Sequence, residues 1–296
     1  MMAKTPRSLA GKVVAITGGA RGIGRATATA LIAKGARVAL GDIDAELAAK
    51  AAEELGVGTI GLPLDVTDAA SFGAFLEETE RQLGPLDVLI NNAGIMPIGS
   101  FVDETDAMTD QIIDINVRGV ITGSRLALRR FLPRRTGHIV NMASSAGKTG
   151  LAGGVTYCTS KHAVVGLSEA IRAEVRGTSI DVSVVMPIPV NTELGSGLHR
   201  LRGFPPVEPE DVAAEIVRAL QLGRVDVYVP RRIGLLLRGA SVLPRRVVDV
   251  ISLALGADKV LAKPDLMARA AYDKRVTSVS APVTPVSGAD RDGAHT

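Results

Sequence analysis

Lys12-Val13-Val14-Ala15-Ile16, followed at once by Thr17-Gly18-Gly19-Ala20-Arg21-Gly22-Ile23-Gly24 and an Ala-rich stretch to Lys34, decides the fold of this chain. The β-branched run reads as a buried strand, the spaced glycines as a tight turn and the Ala-rich stretch as a helix. In that order they form the phosphate-binding half of a βαβ unit. Gly18, Gly22 and Gly24 let the backbone turn, approach a pyrophosphate closely and pack the helix on the sheet, while open N–H groups at the helix start meet negative charge. Gly18, Arg21, Gly22, Ile23 and Gly24 are therefore candidate dinucleotide contacts.

Strand and helix keep alternating beyond this unit. A strand over residues 36–40 ends in Gly41-Asp42, where a carboxylate would meet the adenosine ribose hydroxyls. Asp42 favours NAD, because it would repel the 2′-phosphate of NADP; Arg21 pulls mildly the other way, and Asp42 carries more weight at the strand end itself. An N-cap role for Asp42 is compatible with that contact. A helix over 45–55 precedes a strand ending at Leu64-Asp65-Val66, and a helix over 69–83 precedes a strand over 86–90. That strand runs into Asn91-Asn92-Ala93-Gly94, whose paired amides can tie neighbouring strand ends together. A long helix from 109 to about 134 carries Asn116 in apolar company, and a strand over 138–142 leads to Ser144 and Ser145. The alternation predicts an α/β fold: a Rossmann-type doubly wound parallel sheet with helices on both faces, one domain over residues 8–230.

The chain has 296 residues, 46% hydrophobic and only 3% aromatic, with no Trp, so Ala, Val, Leu, Ile and Gly must build the core. That palette suits helices laid closely on buried parallel strands. One cysteine, Cys158, cannot make an internal disulfide and reads as a small buried thiol. No residue set reads as a metal site. Neither the start nor any later run has the apolar length of a signal peptide or membrane span, so a cytoplasmic protein is expected.

Tyr157-Cys158-Thr159-Ser160-Lys161 reads as the start of a helix, which puts Tyr157 and Lys161, four apart, on one face. A phenol with a pKa of about 10 is too weak a base at neutral pH. An ammonium ~4 Å away, at an effective dielectric near ~20, would favour the phenolate by about 4 kcal/mol and bring it toward neutrality. A tyrosine so tuned can deprotonate an alcohol. His162 is turned about 100° around the helix from Lys161 and reads as structural.

Thr17-Gly18-x-x-x-Gly22-x-Gly24, Asp65, Asn91-Asn92-Ala93-Gly94, Asn116, Ser144 and Tyr157-x-x-x-Lys161, in that order over roughly residues 8–230, resemble the short-chain dehydrogenase/reductase family in its single-domain branch. The resemblance implies an NAD(P)-dependent oxidoreductase of secondary alcohols and ketones, assembled as a homodimer or homotetramer. It implies that Tyr157 is the acid/base, Ser144 holds the substrate oxygen, Lys161 holds the nicotinamide ribose and lowers the Tyr157 pKa, and Asn116 supports a proton path to Lys161. Asp65, Val66, Asn92, Ala93 and Gly94 join the implied cofactor contacts, as do Pro187, Val190 and Thr192. Ser145 is the alternative to Ser144. The chain departs from the family at Pro187-Ile188-Pro189-Val190-Asn191-Thr192, where Ile188 replaces the usual glycine and leaves the loop's shape open. The following residues, 193–206, stand where the family places its mobile lid. Leu194, Leu198, Leu201 and Phe204 are expected to line it and to admit a lipophilic substrate.

Residues 230–275 carry ten Lys or Arg against four Asp, whereas residues 1–229 carry 23 basic against 25 acidic residues, so the basic pI of about 9.1 belongs to an appendage. Its mixture of apolar clusters and arginines predicts a basic amphipathic helical extension over 231–275. That extension is expected to pack over the cleft or a partner subunit, with arginines outward and able to touch an anionic membrane. Residues 276–296 read as a disordered tail. The competing reading is a dinucleotide-binding protein of low turnover that acts through this extension on a partner or membrane. Nucleic acid is not expected as a partner, because no recognition module or aromatic platform accompanies the arginines.

Overall fold

The structure, a computed structural model, describes residues 5–240 and 243–279. Seven strands, β1 (Val13–Thr17), β2 (Arg37–Asp42), β3 (Thr59–Pro63), β4 (Val88–Asn91), β5 (Thr136–Met142), β6 (Ser179–Pro187) and β7 (Asp226–Val229), form one parallel sheet in the order β3-β2-β1-β4-β5-β6-β7. The period of two along each strand divides the core between its faces. Val14, Ile16, Val38, Leu40 and Val140 join one apolar cluster, while Val13, Ala15, Ala39, Leu89 and Ile139 join the other. The first face is covered by α1 (Gly22–Ile32) and a later helix over Pro209–Leu222; the second is covered mainly by Phe72, Phe75 and Leu76 of the helix Ala69–Leu83 and Phe131 of the helix Gly119–Arg134.

Local signals start these helices where the sequence places them. In α2 (Ala45–Leu55), Asp44 is the N-cap and accepts from Leu47 N at 3.0 Å. Asp42 is not that cap; its Oδ1 instead accepts from Asp44 N at 3.2 Å. In α3 (Ala69–Leu83) the cap is Asp68, which accepts from Ala70 N. The long helix expected from 109 to 134 is three pieces: α4 (Asp106–Ile113) capped by Thr105, a π turn over Asp114–Arg118, and α5 (Gly119–Arg134). The π turn adds a residue to the helical repeat and carries Asn116, which is fully buried. Next come α6 (Val155–Glu174) and α7 (Pro209–Leu222), the latter opened by a reciprocal capping box between Glu208 and Asp211.

Because the strand order turns back at β1 and β4, a crevice opens at the carboxyl ends of the strands. Thr17, Asp42, Asn91, Met142 and Pro187 are the last residues of their strands, so the glycine turn, Asp42, the paired amides, Ser144 and the Pro187 loop all begin at this edge.

Past β7 the chain continues as α8 (Arg231–Ala240), α9 (Arg245–Ala254), α10 (Ala257–Val260) and α11 (Leu266–Val279). Ile233 of α8 is buried in the core cluster that β7 joins, and α10 and α11 return over the crevice, where Val260, Leu261, Tyr272 and Val276 are buried. The last helix runs four residues beyond the expected boundary at 275; residues 280–296 of the expected tail lie outside the described residues. Among the described residues, no helix is long and apolar enough to cross a membrane.

Candidate active site

A cavity of about 800 Å³ lies beneath the carboxyl edge of the sheet. At one end is the glycine turn, where Gly18 (φ +62°) and Gly22 (φ +53°) occupy the left-handed region. A Cβ on Gly24 would sit 2.2 Å from Gly18 O, so α1 can approach the turn this closely only with glycine there. No side chain caps α1, which leaves its first N–H groups facing the cavity. Of the paired amides, Asn92 ties strand-end backbone together, its Nδ2 donating to Thr17 O and Gly18 O at 2.9 Å while Asn92 N and Ala93 N each donate to Thr17 Oγ1 at 2.9 Å, whereas Asn91 Nδ2 donates to the side chains of Asn141 (2.8 Å) and Ser124 (3.2 Å). Asp42 is buried at the end of β2 and accepts from Ala20 N at 3.2 Å. Arg21 pairs with Asp44 at 3.1 Å and lies 3.6 Å from Glu193.

Tyr157 and Lys161 project from the first turns of α6, both buried. The Ser144 hydroxyl stands beside the Tyr157 phenol, donates to Pro187 O at 3.5 Å and accepts from Ala146 N at 3.1 Å. Lys161 Nζ donates to Met142 O at 3.0 Å and lies 5.7 Å from the Tyr157 ring centroid. Here the electrostatics differ from the expectation. Burial pushes the Tyr157 phenol above its ordinary value, the Ser144 hydroxyl opposes this only in part, and Lys161 does not pull it down. Burial also lowers Lys161, to about 8. The reason is that the ammonium is desolvated together with the phenol and points to a carbonyl instead of the phenol oxygen.

Asn116 Oδ1 accepts from Ile95 N at 2.9 Å, and Nδ2 donates to Ile95 O at 2.8 Å and Ser160 Oγ at 3.1 Å. It does not line the cavity but stands behind Gly94, where an added Cβ would meet Asn116 Oδ1 at 3.1 Å and Lys161 Nζ at 3.5 Å. Gly24 is likewise outside the wall; Gly18, Arg21, Gly22, Ile23, Asp42, Asp65, Val66, Asn92, Ala93, Gly94, Ser144, Pro187, Val190 and Thr192 all reach it together with Tyr157 and Lys161. His162 is exposed and its Nδ1 lies 2.8 Å from Cys158 O, as a structural residue would.

The departure at Ile188 is accommodated without left-handed backbone. Ile188 N donates to Val229 O at 3.0 Å, extending the β6–β7 pairing, and the side chain is buried in the core. In the lid, Leu194 and Leu198 line the cavity, whereas Leu201, packed against both the main core and the cluster around Tyr157, and Phe204, packed against the main core, do not.

The far wall comes from the C-terminal extension, through Val260, Leu261, Tyr272, Arg275 and Val276. Contrary to the expectation of outward arginines, Arg269 is fully buried. It donates to Leu194 O (3.1 Å), Ser196 O (3.2 Å) and Met96 O, while its Nε lies 3.1 Å from Asp273 Oδ1 without hydrogen-bond alignment. Sequence reasoning missed Arg269 and Tyr272 as individuals, because α11 spreads its apolar residues around the helix. The available signal was the spacing of Arg269, Tyr272 and Val276, which share a face.

The glycine cradle, the open helix start and the carboxylate at the end of β2 fit a dinucleotide. The model of the short chain dehydrogenase family matches residues 12–201. The chain is 37% identical over 227 residues to 2-(S)-hydroxypropyl-CoM dehydrogenase 3 of Xanthobacter autotrophicus, covering 71% of this chain and 89% of that one. It is 38% identical over 191 residues to sorbitol dehydrogenase of Cereibacter sphaeroides, covering 64% and 75%. Among solved structures, a short chain dehydrogenase/reductase from Burkholderia phymatum in complex with NAD superposes with a TM-score of 0.72 at 27% identity, covering 78% of this chain and 93% of that one.

Proposed function

The chain belongs to the short-chain dehydrogenase family, as an oxidoreductase acting on CH–OH or keto groups with a nicotinamide cofactor, and we propose that it uses NAD on a lipophilic secondary alcohol or ketone. The observation that carries this reading is the convergence of Tyr157, Ser144 and Lys161 on one buried wall, beside the glycine cradle and facing Leu194, Leu198, Val260 and Leu261. A bound nicotinamide supplies hydride in reduction and accepts it in oxidation. The Tyr157 phenol gives its proton to the carbonyl oxygen in reduction, for which a phenol held protonated by burial is suited, and takes the proton back in oxidation. Ser144 holds the substrate oxygen and the phenol in line. Lys161 holds the nicotinamide ribose, and Asn116, fixed to Ile95, holds the proton path behind Gly94. Following nicotinamide absorbance with a panel of secondary alcohols, steroids and polyols tests the reading; a panel without turnover would leave the low-turnover alternative.

Asp42 supports NAD over NADP, because a carboxylate in the cavity wall at the end of β2 would repel a 2′-phosphate brought to it, while Arg21 is engaged by Asp44 and Glu193. Calorimetric titration should give tighter binding of NAD, and Asp42→Ala should shrink the preference about tenfold, equal to about 1.4 kcal/mol. Tighter binding of NADP by the wild type would sink the assignment.

The faces of α8 and α9 support a further property, weak attachment to anionic lipid. Leu235, Leu236, Val247, Val250 and Leu253 are exposed there, with Arg232 and Arg246 also exposed among them. Each such basic residue contributes about 1 kcal/mol near an anionic bilayer, an attraction that salt screens. Full-length protein should therefore co-sediment with phosphatidylserine vesicles at low salt, and R232E/R246E should weaken this about tenfold or more. Truncation is unsuitable because α10 and α11 complete the cavity. Binding indifferent to salt or to the two substitutions removes the lipid; light scattering then decides whether a second copy covers the face.

A further inference from the structure

We infer that Tyr272 is a substrate-specificity residue, whose phenol hydroxyl selects ketones and alcohols carrying a second hydrogen-bond acceptor, such as an ester oxygen, near the reacting carbon. The inference rests on the reading of Tyr157 as the reacting centre. Tyr272 stands on α11, beyond the stretch that the family model matches, and lines the cavity wall.

The Met96 N–H donates to Tyr272 Oη at 2.7 Å. That contact occupies one lone pair and leaves the hydroxyl proton to be given elsewhere. Among the described residues, the hydroxyl donates no hydrogen bond of its own. The ring cannot turn away freely: the Arg269 guanidinium lies 4.6 Å and that of Arg275 5.5 Å from its centroid. Burial pushes Tyr272 up to about 12, so the hydroxyl remains a donor through the neutral range.

The surroundings make that donor selective. Met96, Val260, Leu261 and Val276 are apolar and buried around this end of the cavity. Tyr272 and Tyr157 line the same cavity, so the two phenols share one chamber. A substrate whose carbonyl meets Tyr157 places its neighbouring atoms toward Tyr272. A buried donor left without an acceptor costs about 1–3 kcal/mol, and sites built to hydrogen-bond a group discriminate strongly against analogues lacking it.

Three ketones test this: methyl hexyl ketone, which has no second acceptor, and ethyl acetoacetate and ethyl levulinate, which carry an ester at two spacings. With NADH, the wild type should reduce at least one keto ester about tenfold more efficiently in kcat/KM than the plain ketone. Tyr272→Phe should reduce that ratio to about twofold, through loss on the keto ester alone. The ratio within one preparation does not depend on how much of the variant is folded. Calorimetric binding of the same ketones to the NAD-loaded protein forms the second arm. If binding shows the preference, Tyr272→Phe removes it and no ketone is reduced, the assignment of Tyr157 falls while the role of Tyr272 stands. A wild type that binds all three alike or none, or a variant that loses all three by one factor, overturns the proposal.

Discussion

Tyr157→Phe lowers turnover by about a thousandfold, within the ~10²–10⁴ range of acid/base removal, and leaves NAD affinity within about twofold. The phenol oxygen is the proton carrier of the site, and the Ser144 hydroxyl stands beside it. The ring packs with Met96, Ala146, Val260 and Leu261, contacts that Phe preserves. Lys161→Ala, in contrast, damages both turnover and cofactor affinity. The pH profile carries a sign as well. Ketone reduction needs the phenol protonated and Lys161 charged, and Lys161 loses its charge as pH rises through about 8, so reduction declines on the alkaline side. Stopped-flow rates and equilibrium binding on the same preparations check both statements; near-native turnover by Tyr157→Phe would remove the assigned acid/base.

Arg269→Ala should release the cap over the substrate end. This one side chain joins the loop after β4 through Met96 O, the lid through Leu194 O and Ser196 O, and α11 through its own backbone. Truncation leaves three carbonyls without their donor and a void where a fully buried side chain was, a combination worth about 3–5 kcal/mol. If that loss falls on the cap alone, the open form gains a factor of about 10²–10⁴ in population. Amide hydrogen exchange should then accelerate by that factor in residues 194–198 and 266–276 and stay unchanged in β1, β4 and β5. KM for ketones should rise with it. Unchanged exchange in those two segments would show that other contacts hold the cap.

Much of the site was legible because its signals are local. Gly18, Gly22 and Gly24 between a strand and a helix, Asp42 at a strand end, and Tyr157 four residues before Lys161 each depend on spacing within one or two elements, and spacing is what a sequence displays. The parallel sheet was legible too, since β-branched runs separated by helical stretches leave few other arrangements. The π turn at Asp114–Arg118 was not, because it exists to seat Asn116 against Ile95 and Ser160, residues distant in the chain. Nor was the cap: the spacing of Arg269, Tyr272 and Val276 marks a shared face, but it does not name Met96, which Arg269 and Tyr272 meet across more than 170 residues. The protonation of Tyr157 separates the two levels most clearly. Its alignment with Lys161 follows from helical periodicity, so the sequence alone determined it. The direction of its pKa shift follows from desolvation by everything packed around it, including a lid and a C-terminal helix, and only the tertiary structure decides that.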